Sequence, residues 1–123
     1  MRSIVVSVIV LIIASCNRMA GQSSQSGLTG KWTFTEYLSD PGDGSGKWQP
    51  APAGQSYIEF RSDSTIRTDV SQFLGYDRYS VVDNNAILLQ GNGNSFKLTY
   101  SIIGKTLQLN PPCREPCGLK FRK

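Results

Sequence analysis

From residue 31 onward, hydrophobic and polar side chains take alternate positions. In residues 31–38, Trp32, Phe34 and Leu38 fall on one face, and Thr33, Thr35 and Tyr37 on the other. Ile58 and Phe60 pair in the same way across Glu59. Phe96, Leu98, Tyr100 and Ile102 alternate with Lys97, Thr99 and Ser101, and Leu107/Leu109 and Leu119/Phe121 repeat the pattern. A period of two marks strands with one face in a core. The run 86–90, with Ile87, Leu88 and Leu89, and the stretches 76–82 and 64–70 are further strands, the last the weakest. Only residues 70–76 allow a short helix.

Turn residues punctuate this pattern. Ser62-Asp63-Ser64, Asp83-Asn84-Asn85, Gly91-Asn92-Gly93-Asn94 and Gly104-Lys105 each separate two strands. Gly, Asn and Asp tolerate the positive φ that tight hairpins require. Strands that arrive every eight to twelve residues or so, with short connections, predict an antiparallel meander. About eight such strands can close into a barrel, which removes exposed edges. The fold class expected is therefore all-β, a single antiparallel barrel. Its interior is either filled by side chains or holds one small ligand. No internal repeat is present.

The first sixteen residues follow a different rule. Met1-Arg2 is basic, Ile4 to Ile13 is almost wholly aliphatic, and Ile13-Ala14-Ser15-Cys16 follows. A basic start, a short apolar run and small residues describe an export signal. The run has ten residues, and a membrane-spanning helix needs about twenty. The final four residues resemble the lipobox of bacterial lipoproteins. That resemblance implies cleavage after residue 15 and acylation of Cys16, which tethers the chain to a membrane. Residues 1–15 are then a signal peptide, 16–27 a flexible Ser-, Gly- and Gln-rich tether, and 28–123 the folded domain.

A mature chain of 108 of the 123 residues supports one domain with a modest core. The formal charge is +4 and the basic residues are scattered, without the density of a nucleic-acid binder. There is no histidine, which excludes Ser-His-Asp and Cys-His nucleophile arrangements and removes the commonest zinc ligand. Apart from Cys16, the cysteines are Cys113 and Cys117 in Cys113-Arg114-Glu115-Pro116-Cys117. Outside the cytoplasm two thiols this close usually join. A structural disulfide is expected, with free thiols or a redox pair as alternatives. The redox reading lacks the C-x-x-C spacing and helix start that lower a thiol pKa.

Residues 40–50, Asp40-Pro41-Gly42-Asp43-Gly44-Ser45-Gly46-Lys47-Trp48-Gln49-Pro50, read as one long loop, too polar and glycine-rich for a strand. Asp40, Asp43 and Ser45 offer oxygens, but the alternate ligand positions and late glutamate of a calcium loop are missing. No metal site and no cofactor is expected. The loop reads as a structured turn pinned by Trp48 packing on the barrel end.

Together these pieces resemble the small lipocalin-like lipoproteins of Bacteroidetes-type bacteria. The resemblance rests on Leu28-Thr29-Gly30-Lys31-Trp32, the 40–50 segment, Ile58-Glu59-Phe60 with Asp63, and the ending from Cys113 to Phe121. It implies an eight-stranded up-and-down barrel and a role in binding something small and apolar, and it brings no catalytic residues. Acidic residues that often mark surface export in such bacteria are missing from Asn17-Arg18-Met19-Ala20. The implied address is the periplasmic face of the outer membrane.

The functional expectation is a non-enzymatic binding module held to the membrane by its N-terminal lipid. Tyr57, Tyr79 and Tyr100 are candidates to orient a ligand's polar end at a cavity mouth, with Trp48 beside them. The alternative is a protein-binding envelope factor or inhibitor that acts through residues 40–50, with Trp48 as an interface anchor. Paired carboxylates are the only catalysts left, and a solvated face explains the acidic residues better.

Overall fold

The computed structural model describes residues 25–114 and 116–123. The expected signal peptide, the Cys16 lipidation site and residues 16–24 of the expected tether lie outside the described residues. The described chain starts with a single helical turn, α1 (Gln25–Leu28). Nine strands follow: β1 (Gly30–Ser39), β2 (Lys47–Pro50), β3 (Tyr57–Phe60), β4 (Ile66–Thr68), β5 (Arg78–Asp83), β6 (Ala86–Gly91), β7 (Asn94–Ile103), β8 (Thr106–Asn110) and β9 (Cys117–Arg122).

All pairings given by the strand registers are antiparallel. β3 pairs with the first half of β1, and β2 with its second half. β2 and β3 therefore lie end to end along one neighbour, and the sheet follows the path β4-β3-β1-β9-β8-β7-β6-β5. The ends of that path meet. Thr65 bridges Arg78, Ile66 N–H donates to Asp77 O at 2.9 Å, and Tyr79 N–H donates to Ser64 O at 2.9 Å. The result is an eight-stranded up-and-down barrel with a short β4–β5 seam.

The expected hairpins all form. Asn92 and Gly93 both adopt positive φ, 51° and 75°, the conformation a two-residue turn needs to match the strand twist. The faint helical signal at 70–76 becomes a 3₁₀ turn, Ser71–Phe73. Two expectations fail. Residues 47–50 are strand rather than loop, because the second half of β1 runs past β3 and offers a free edge. And β1 does not keep one face throughout. A bulge between Phe34 and Glu36 admits one extra residue against β9. Beyond it Tyr37 pairs with Leu119, whose side chain is buried, while Leu38 pairs with Gly118 and Trp48 on the outer wall. A one-residue slip exchanges the faces, so Tyr37 belongs inside and Leu38 outside.

The interior is filled by side chains. Ile58, Phe60, Ile87, Leu89, Leu107, Leu109 and Phe121 are at most 1% exposed. Phe60 meets Tyr79 edge to face at 5.0 Å, and Phe34 meets Phe121 at 5.3 Å. The two barrel ends differ. At one end α1 closes the bottom: Leu28 is fully buried, and the Trp32 indole N–H donates to Leu28 O at 2.8 Å. At the other end the 3₁₀ turn inserts Phe73, 6.5 Å from Phe96, while Tyr76 stacks on Phe96 at 5.9 Å. This second cap covers the β4–β7 side and leaves the β1–β9 side open.

Candidate functional site

The open side of the mouth holds a cleft of about 620 Å³. Its wall comes from the end of β1 and the start of β9, which the bulge turns inward. Tyr37, Ser39, Cys117 and Leu119 line it from the strands, Gln72 from the 3₁₀ turn, and Arg114 from the loop before β9. Cys113 and Cys117 are joined, with Cα atoms 6.2 Å apart, and their disulfide forms part of the same wall. So short a closed loop contributes about 2 kcal/mol through chain entropy, and it fixes Arg114 beside the opening. Tyr37 and the disulfide offer apolar contact, backed by the buried Leu119. Arg114, Gln72, Ser39 and Asp40 offer hydrogen-bonding groups, with one cation and one carboxylate among them.

The residues expected to bind a ligand are placed elsewhere, and the structure does not bring them together. Tyr79 is 2% exposed, sits in the core, and donates its hydroxyl to Arg61 O at 2.8 Å. Tyr100 is buried opposite Leu109. Tyr57 faces outward with the Lys31 amine 4.3 Å from its ring centroid. Trp48 lies on the outer wall: a Cβ on Gly118 would stand 2.9 Å from its ring, so only glycine lets the indole lie flat there. The Lys120 amine covers that ring at 3.9 Å. Trp48 does pin the 40–50 segment to the barrel, but against the wall and outside the cleft. No protein-family model, no curated protein and no solved structure matches this chain.

Of the residues that do line the cleft, Tyr37 was concealed by the bulge, and Gln72 by the ambiguous 70–76 segment. Arg114 had a visible signal, a cation enclosed between two cysteines.

Asp40 borders the cleft and organises the loop after β1. Its Oδ1 accepts from Gly42 N–H at 2.7 Å and Gly44 N–H at 3.3 Å, and its Oδ2 accepts from Gly46 N–H at 2.9 Å. The Asp43 carboxylate accepts from the Ser45 hydroxyl and from Ser45 N–H. The oxygens considered for calcium are thus directed at their own backbone. Among the described residues no group of three acidic or thiol side chains is arranged to hold a metal ion.

These contacts set a pH profile. The Gly42 N–H, with those of Gly46 and Gly44, holds Asp40 below its ordinary 3.8. The Ser45 hydroxyl and N–H lower Asp43, and the Thr65 hydroxyl and N–H lower Asp63. Burial pushes Tyr79 above its ordinary 10.0. A carboxyl depressed in the folded state stabilises above its unfolded value and loses that contribution as pH falls through the folded one. A phenol raised in the folded state stabilises below its unfolded value and loses that contribution as pH rises through the folded one. With no histidine in the chain, the thermal midpoint is expected to be level from about pH 5 to 9, falling on both sides. Melts recorded across pH check this; a step between about pH 6 and 7 contradicts it.

Proposed function

We propose that this chain is a membrane-tethered bacterial envelope lipoprotein whose lipocalin-like barrel binds a small, largely apolar ligand at its open mouth. One observation carries the reading: an open cleft of about 620 Å³ lined by Tyr37, Leu119 and the disulfide together with Arg114 and Gln72. That volume lies within the range of small-molecule sites. Because core side chains fill the barrel, the ligand's apolar body rests on Tyr37 and the disulfide instead of entering the centre. A polar or anionic end meets Arg114. The reading involves no chemical step on the ligand.

The alternative, a protein-binding factor acting through residues 40–50, has less support. Trp48 is half-buried and already holds Gly118 and Lys120 of its own chain, so it is poorly placed to anchor a partner.

A titration with dodecanoate tests the ligand reading. Saturable one-to-one binding is expected, with Arg114→Glu weakening it at least tenfold, the scale of one lost charge-assisted hydrogen bond. No saturable binding, or equal binding by the variant, rejects the proposed orientation.

A further inference from the structure

The closed end of the barrel is divided by charge. Around its rim, the end of β9 and the β7–β8 turn are neighbours. They carry Arg122, Lys123 and Lys105, all exposed. Arg122 stands opposite Thr106, and Lys123 N–H donates to Lys105 O at 2.9 Å, so the three cations form one cluster. The Lys123 amine also donates to Thr29 O at 2.7 Å. The acidic groups of this end lie on the remaining arc. Asp63 is in the β3–β4 turn, Asp83 closes β5, and Glu59 is paired with Arg61 at 3.3 Å.

At the β7 edge of the basic arc is Ile103. It is 79% exposed, more than the other exposed large hydrophobics, Leu74 and Val82, and it sits at the tip of the β7–β8 hairpin. An aliphatic tip flanked by cations suits an anionic lipid surface: the tip enters the headgroup layer while the cations meet phosphates.

The chain's own path points to the same partner. α1 enters the barrel at this end, and Gly27 lies against Ile102, with 3.6 Å from an added Cβ to the Ile102 side chain. The nine residues from Cys16 to Gln25 span at most about 32 Å. An acylated Cys16 would therefore hold this end, where α1 enters, within about 32 Å of the bilayer. We infer that the Ile103–Lys105–Arg122–Lys123 face docks on anionic phospholipid, so that the ligand cleft at the opposite end opens away from the membrane. This inference rests on the reading of Cys16 as the acylated anchor.

The test uses the full acylated lipoprotein on vesicles of phosphatidylcholine, alone or mixed equally with phosphatidylglycerol. An environment-sensitive fluorophore is attached at Ile103→Cys or, at the opposite end, at Leu74→Cys. On the anionic vesicles the label at 103 shifts to the blue and is quenched by brominated lipid, while the label at 74 reports water. The shift is lost with Lys105→Glu/Arg122→Glu, and in about 1 M salt, where screening shortens to roughly 3 Å. A label at 103 that stays wet, or that responds equally on neutral vesicles, overturns the docking face. Co-sedimentation with neutral vesicles reads the acyl anchor separately, so a failed anchor and a failed docking face give different results.

Discussion

Trp32→Ala is expected to cost about 3–5 kcal/mol of folding free energy, the range for removing a large buried aromatic. Trp32 is 1% exposed and fills the closed end of the barrel. Its indole N–H holds Leu28 O at 2.8 Å, which fastens α1 across the opening, and the Lys123 amine lies 4.9 Å from its ring centroid. Truncation leaves a cavity and an unpaired buried carbonyl together. Domains of this size have roughly 5–15 kcal/mol in total, so the loss is about a fifth of the whole or more. Trp32→Phe separates the two effects. It keeps most of the ring and removes only the donor, for about 1–3 kcal/mol. Urea unfolding measures both; a cost below about 1 kcal/mol for Trp32→Ala would mean that the closed end is not sealed by this residue.

Gly91→Ala is the second large effect. A Cβ at residue 91 would stand 2.1 Å from Gly75 O and 2.8 Å from Tyr76 Cα. Both are backbone atoms, so no rotamer relieves the clash. Residues 75–76 must move, and with them Tyr76 on Phe96 and the Phe73 plug. Overpacking of this kind costs about 1–3 kcal/mol or more. The damage should concentrate at the mouth, so amide exchange should rise first in residues 70–76 while β8 and β9 stay protected. A variant with unchanged stability and exchange would show that the β6 end and the cap are not in close contact.

Much of the barrel was legible because alternation is a direct consequence of a sheet with one wet face. Phe96 to Ile102, Leu107/Leu109 and Leu119/Phe121 each became a strand in the expected place. The Asn92-Gly93 turn was readable from backbone sterics alone. The mouth was not. Alternation assigns faces only while the register holds, and the bulge after Phe34 breaks it without a Gly or Pro to announce the break. That single extra residue carries Tyr37 into the cleft and sends Leu38 out to Trp48. The strand at Lys47–Pro50 was hidden for a related reason: a four-residue strand with a single large apolar side chain, Trp48, is too short to show a period of two. The role of Asp40 depends on three glycine N–H groups converging in space, and composition shows only that the loop is glycine-rich.

Tyr79 and Tyr100 lie away from the cleft for a simpler reason. A Tyr in a strand of a filled barrel does what other large side chains do, and Tyr79 and Tyr100 pack inside it. The cleft arises because the cap from the 3₁₀ turn covers only part of the opening, a consequence of tertiary geometry with no counterpart in the local sequence.

The most direct test is a map of amide chemical-shift changes as dodecanoate is added to the isotopically labelled protein. The account predicts changes grouped at Tyr37, Ser39, Gln72, Arg114 and Leu119, with Tyr100, Leu107 and the closed-end Trp32 unmoved. Changes centred on those interior residues, or on Trp48 at the outer wall, would contradict it.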